Sequence, residues 1–242
     1  MSLKKKHKSR YLSFIKGELI DLCYPSEIAI DEDNWAEWFN NTKELQATNH
    51  GIYPNTRALQ KSFFKSIAND TSKIVLLICD KKKHKAVGVV SLQNINHQSR
   101  SAEISINASS LDKKNLHPLG TLEAMALITE HAFEEIGLRR VYGGQAFPIL
   151  RTWNKMNELI GFRSEGISRQ SFIRGQKVID TVLISCLYEN YIKIKNIRGS
   201  LWGSSKTISR TMRKQGKKSY ADILSDNFKE LEKSYFKFLL KE

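Results

Sequence analysis

Three cysteines, six histidines and 25 acids in 242 residues give ample material for chemistry, and their spacing narrows it. Cys23, Cys79 and Cys186 lie far apart in apolar surroundings, and none has a histidine placed as the base of a thiol nucleophile. Their odd number suits buried free thiols in a reducing compartment better than disulfides or a zinc cage, and no metal site is expected. One segment suits an anion. Asn115-Leu116-His117-Pro118-Leu119-Gly120 runs into an amphipathic helix, so the amides of Leu119, Gly120 and Thr121 stand at a helix N-terminus and could hold a phosphate, with Lys113 or Lys114 beside them. Pro118 offers no amide and fixes its own φ there; the alternative is an ordinary loop and helix start. Two loop residues could meet a ligand. Tyr53, in His50-Gly51-Ile52-Tyr53-Pro54, carries a hydroxyl that can bond a polar acceptor, and His97, in Asn94-Ile95-Asn96-His97, either lines a pocket or is solvated. Trp35 and Trp38, three residues apart, read as core first and as a substrate platform second.

The elements that must position these residues follow from periodicity. Residues 11–23 alternate as a strand, and Asp31-Glu32-Asp33 places acids at a helix N-terminus ahead of Trp35, Trp38 and Phe39. A helix is expected over residues 56–68, behind Pro54, and a hairpin over 73–79 and 86–95, joined by the charged run 80–85. Residues 102–108 form a strand. Pro118 then opens a helix whose apolar face is Leu122, Met125, Ala126, Phe133 and Ile136, stopped by Gly137. A strand over 139–147, a helix over 152–160, and strands over 163–171 and 177–187 complete a mixed α/β domain.

The chain divides into a basic N-terminal tail (1–10) expected to be disordered, one domain (11–195), and a basic extension (196–242). In the extension Gly199-Ser200-Leu201-Trp202-Gly203-Ser204-Ser205 has linker composition, although a tryptophan there often docks. Leu224, Phe228, Leu231, Tyr235 and Phe238 follow at spacings of 4, 3, 4 and 3. This stripe needs a cover, either the body of the chain or a second copy in a homodimer. The net charge is +14, and the last 53 residues hold thirteen Lys or Arg against five Asp or Glu. Such a surface is either a solvated tail or an attraction for RNA, ribosomes or anionic lipid; with no nucleic-acid motif, nucleic acid is not the expected partner. No apolar run of about 18 residues is present to span a membrane, no secretory signal is visible, and the cytoplasm is the expected location.

Several motifs occur in an order that carries more weight than any one of them. They are Trp35-Ala36-Glu37-Trp38-Phe39-Asn40; Val87-Gly88-Val89-Val90-Ser91-Leu92; Ala102-Glu103-Ile104-Ser105-Ile106; Gly161-Phe162-Arg163-Ser164-Glu165-Gly166; and Gly175 with Asp180. In this order, over residues 11–194, the chain resembles the GNAT-type N-acetyltransferases, especially the subgroup of ribosomal-protein serine and alanine N-acetyltransferases and many amino-sugar N-acetyltransferases. The resemblance implies an α/β (α+β) fold of three layers, with a mixed, mostly antiparallel central sheet flanked by helices and, here, a C-terminal helical extension. It also implies acetyl-CoA as co-substrate, without a metal. The pantetheine arm would lie along the strand edge at Ile106, Asn107 and Ala108. The pyrophosphate would lie on the loop amides around Lys114, Asn115, Leu119, Gly120 and Thr121, where only Gly120 keeps the family's glycine pattern. The helix asparagine of the family falls on Leu150, with Asn154 one turn further on.

The resemblance further implies direct transfer of acetyl to a primary amine through a tetrahedral intermediate. Glu103 is then the base, acting through water, or else a carboxylate tied to a neighbouring strand or loop. The family's general-acid tyrosine falls on Asn157, whose amide cannot donate a proton in that way. His117, Tyr142 or Tyr53 could serve instead, or solvent, since a free thiol has a pKa near 8.5. The acceptor pocket would draw on Trp35, Tyr53 and His97, for a nucleotide-linked amino sugar or similar small metabolite, or a protein N-terminus. A silent CoA-binding protein, or a platform whose basic tail binds RNA or ribosomes, are the readings from other classes.

Overall fold

The computed structural model describes residues 10–41, 45–108 and 117–240. Strands β1 (Ser13–Lys16), β2 (Ile20–Cys23), β3 (Ile74–Asp80), β4 (Lys85–Asn96), β5 (Ser101–Ala108), β6 (Arg140–Phe147), β7 (Arg163–Arg174) and β8 (Lys177–Leu187) form one sheet. Its order is that of the chain except that β8 lies between β6 and β7. All neighbours are antiparallel except β5 and β6. Helices α1 (Glu27–Asp31), α2 (Arg57–Ile67), α3 (Gly120–Glu134), α4 (Arg151–Asn157), α5 (Tyr188–Arg198), α6 (Ser205–Lys214) and α7 (Tyr220–Leu240) complete the chain.

Strand alternation sends side chains to two cores. Leu76, Ile78, Ala102 and Ile104 meet Leu122, Met125 and Ile128 of α3 and Leu159 and Ile160 beyond α4 on one face. Val75, Leu77 and Val89 meet Ala29, Ile30, Trp35 and Trp38 on the other. The result is the three-layer arrangement expected from the sequence. Each fully buried Leu or Ile of α3 contributes roughly 1.5–3 kcal/mol, so the helix is held mainly by packing.

The structure departs from the periodicity in four places. Residues 11–23 are two strands and not one, because the chain turns at Gly17. There Gly17 N–H donates to Ile20 O at 3.0 Å, and a Cβ on Gly17 would stand 2.4 Å from that oxygen. The buried Glu123 carboxylate of α3 holds this turn, accepting from the amides of Glu18, Leu19 (2.9 Å) and Ile20 (3.2 Å). Asp31-Glu32-Asp33 closes α1 instead of opening a helix. Asp33 is taken inside by Tyr11 Oη (2.5 Å), Ala86 N (2.9 Å) and Arg10 (3.1 Å), and only a single 3-10 turn, Glu37–Phe39, follows. Helix α3 starts at Gly120, not Pro118, since Gly120 N–H closes a turn onto His117 O at 2.7 Å.

The fourth departure is the C-terminal extension. Leu201 and Trp202 are 0% and 4% exposed, and with Ile208 and Ala221 they belong to the larger core, so the linker-like stretch is a packed corner. Trp202 Nε1 donates to Glu18 Oε2 at 2.8 Å, and Ser205 Oγ donates to Glu18 Oε1 at 2.6 Å. Helix α7 docks by its first turn, where Asp222 meets Arg151 at 2.8 Å, and by Glu232 on Arg169 of β7 at 2.9 Å. The body does not cover the rest of the stripe: Leu231 and Phe238 are 65% and 78% exposed. No helix among the described residues is long and apolar enough to cross a membrane.

Candidate active site

The single parallel contact in the sheet is a short one. β5 and β6 pair only at Ser101–Arg140, Ala102–Val141 and Glu103–Tyr142. Beyond these, residues 104–108 keep β4 as their one strand partner and residues 143–147 keep β8. The facing edges therefore diverge into a wedge whose walls present backbone N–H and C=O groups, and an extended ligand can bond to these as a strand would. Gly143 stands at the fork. A Cβ there would lie 3.3 Å from Ile104 O, so glycine lets the walls come close before they part. Ile106, Asn107 and Ala108 form part of the β5 wall.

Helix α3 begins beside this wedge. Lys113, Lys114 and Asn115 lie outside the described residues. Leu119 N–H donates to His117 Nδ1 at 3.2 Å, as Gly120 N–H does to His117 O. Two of the three amides expected to be free are therefore committed to His117, and Thr121 alone keeps an uncommitted amide among the described hydrogen bonds. His117 itself is exposed and near Glu18. Burial would raise the Glu18 carboxyl, but bonds from Ser205 and Trp202 and the neighbouring His117 bring it below the usual range.

The α4 side of the wedge carries buried polarity that apolar patterning would not place there. Asn154 Nδ2 donates to Gln145 Oε1 on the half of β6 that β5 does not pair, while Asn154 Oδ1 has no partner. Asn157 is 1% exposed, and neither of its amide atoms is bonded. Such orphans are rare in native interiors and cost roughly 1–3 kcal/mol each. Ligand oxygens and amides entering the wedge would satisfy them, so the residues present fit an amide-rich arm such as pantetheine. Gln145 was not singled out from sequence; the signal was a polar residue in an otherwise apolar strand, directly after Gly143-Gly144.

On the opposite face, Glu103 points away from the α3 core, beside Tyr142, its partner in the last parallel pair. The carboxylate accepts from Asn94 Nδ2 at 3.0 Å. Two residues further along β5 on the same face, Ser105 and Asn107 line a cavity of about 260 Å³ together with Trp35, Phe39, His50, Phe63, Lys73 and residues of β3 and β4. Trp35 thus serves both readings, fully buried in the core yet forming the cavity wall. Tyr53 is 83% exposed and lines an adjoining hollow of about 410 Å³ that shares Phe39, His50 and Phe63 with the first. His97 sits in the exposed β4–β5 turn, outside both linings, which is the solvated one of its two readings. The structure sets Glu103 beside Tyr142, and Trp35 shares a cavity with Ser105 and Asn107 of the same strand. Asn154 and Asn157 lie across the sheet, on the α3 face, and the wedge is the opening between the two.

No group of three or more His, Cys, Asp or Glu side chains among the described residues could hold a metal ion. Cys186 is buried, and burial pushes its thiol up to about 12; Cys23 and Cys79 are buried together on the other face.

No protein-family model matches the chain, and no curated protein matches it by sequence. Solved structures do match by fold. A spermidine N-acetyltransferase from Vibrio cholerae, solved with CoA and spermine, superposes over 73% of this chain and 99% of its own with a TM-score of 0.63 at 16% identity. The microcin C7 self-immunity acetyltransferase MccE, solved with acetyl-CoA and AMP, superposes over 71% of this chain and 93% of its own with a TM-score of 0.58 at 20% identity. The fold is that of these acetyltransferases.

Proposed function

We propose that the protein is an acetyl-CoA-dependent N-acetyltransferase that passes an acetyl group directly to a primary amine, within the ribosomal-protein and amino-sugar acetyltransferase subgroup. The observation that carries this reading is the β5–β6 wedge, opened after three residue pairs and flanked by unbonded Asn154 and Asn157 atoms, in a fold shared with proteins solved with CoA or acetyl-CoA. The wedge edges would take the pantetheine amides, and Thr121 at the start of α3 the phosphates, with Lys113 or Lys114.

In the reaction the amine nitrogen bonds to the thioester carbonyl carbon. The tetrahedral intermediate then collapses with cleavage of the C–S bond. Glu103 accepts the amine proton through water, and its bond from Asn94 fixes the carboxylate's direction. Tyr142, opposite Glu103, or solvent protonates the departing thiolate; a thiol pKa near 8.5 makes this second transfer undemanding. The cysteines take no part, since all three are buried away from the wedge. The acceptor would be an amino group on a nucleotide-linked sugar or similar small metabolite, or a protein N-terminus.

Calorimetric titration with acetyl-CoA and with CoA, followed by thiol-release assays with amine acceptors, tests the reading. Micromolar binding of both nucleotides is expected, and absence of binding overturns the proposal. For the base, Glu103→Gln should leave acetyl-CoA affinity unchanged and lower kcat by roughly 10²–10⁴-fold. An unchanged kcat would assign Glu103 to structure alone.

A further inference from the structure

The cavity on the α1–α2 face is rich in hydrogen-bond donors and poor in acids. Trp35 Nε1 and Asn107 Nδ2 are buried without a partner, and Lys73 belongs to the same lining, which contains no Asp or Glu among the described residues. The one recorded carboxylate on Lys73 is Asp70, at 2.8 Å and outside the lining. Flat rings supply much of the remaining wall. Phe63 stands edge-on to Trp35 with centroids 6.3 Å apart, and Phe39 tilts over His50 at 4.7 Å. Behind His50, the Arg174 guanidinium donates to the carbonyls of Thr48 and His50 at 2.6 and 2.7 Å.

Buried donors left unpaired cost stability until a ligand offers acceptors, and ring walls suit a flat group packed edge-on or face-on. A polycation would meet Lys73 and find no carboxylate among the described residues of the lining with which to pair. The nearest acid along β5 is Glu103, two residues before Ser105 on the same face, which suits one amine at one end of the ligand. Building on the acetyltransferase reading, we infer that the acceptor is a monoamine whose body carries a flat aromatic group and an anionic oxygen group, carboxylate or phosphate, and is not a polyamine. The anionic group lies toward Lys73, the ring among Trp35, Phe39 and Phe63, and the amine toward Glu103 at the mouth of the wedge.

Calorimetric titration of the full chain with L-tryptophan, 5′-AMP and spermidine, each with and without CoA, reads this chemistry directly. At least one of the two acids should bind about tenfold or more tightly than spermidine, and the tighter of the two identifies carboxylate or phosphate as the preferred anion. Lys73→Glu should reduce that preference by about tenfold or more, with Lys73→Met intermediate, while acetyl-CoA affinity holds and circular dichroism is unchanged. Spermidine binding as tightly as both acids, or a preference untouched by Lys73→Glu, overturns the inference. Should acetyl-CoA fail to bind while an acid still outcompetes spermidine, the acetyltransferase reading falls and the ligand chemistry of the cavity stands.

Discussion

Asn157 offers a test in which stability and binding move in opposite directions. Its side chain is 1% exposed and both amide atoms are unbonded, so the free protein carries the cost of a desolvated amide, about 1–3 kcal/mol. Leucine has the same branching and number of heavy atoms and no polar atoms. Asn157→Leu should therefore stabilise the free protein by about 1–3 kcal/mol, and since 1 kcal/mol moves the midpoint of a chain of this size by about 2–4 °C, Tm should rise by about 2–12 °C. If the amide is kept for a ligand in the wedge, the same variant loses one or two hydrogen bonds to acetyl-CoA, each about 0.5–1.5 kcal/mol, and Kd should weaken by about 2–150-fold. Thermal denaturation without ligand and calorimetry with acetyl-CoA give the two numbers on one preparation. A variant that melts lower than the wild type and binds acetyl-CoA equally well would refute the reasoning, because Asn157 would then be a satisfied structural residue.

Two further outcomes follow from buried charge. Glu123→Ala leaves the amides of Glu18, Leu19 and Ile20 without their acceptor and should cost about 3–5 kcal/mol in urea unfolding; a loss under about 1 kcal/mol would mean the turn at Gly17 holds itself. Burial lowers the imidazole of His131, opposed by Glu135, and burial with Arg174 lowers that of His50. Protons then bind the unfolded chain first, near pH 6.5, so this part of the stability is present above that pH and declines as pH falls below it. Unfolding free energies at pH 7.5 and 5.5 should show a smaller decline in His131→Phe, which keeps the ring packed on Phe14; equal declines would remove His131 from the account.

What the sequence made legible was whatever repeats locally. The apolar face of α3, the β3–β4 hairpin and the strand at residues 102–108 were visible because periodicity and turn composition act over a few residues. The split at Gly17 was invisible because its cause, Glu123, lies a hundred residues away. Leu201 and Trp202 read as linker because glycine and serine surround them, while their partners are at Glu18 and in the α3 core. For the site, the resemblance carried Glu103, and no motif carried Tyr142 beside it, since only the parallel register sets those two together. Asn154 and Asn157 were marked by motif position; that they lie buried with unbonded atoms is a property of packing, which one-dimensional spacing does not encode.

The clasp between Glu18 and Trp202 ties the opening hairpin to a corner 184 residues later. Helix α3 supplies the other half of the grip through Glu123, so the turn joining β1 and β2 is finished only after most of the chain exists. During synthesis β1 and β2 would wait, incompletely clamped, until the corner at Leu201 and Trp202 emerges to close over them. A chain stopped at residue 195 would lack this closure and expose the apolar surface that Leu201, Trp202, Ile208 and Ala221 cover. Loss of the segment from residue 196 onward would thus be felt at the β1–β2 turn, where Glu18 would lose its bonds from Trp202 and Ser205.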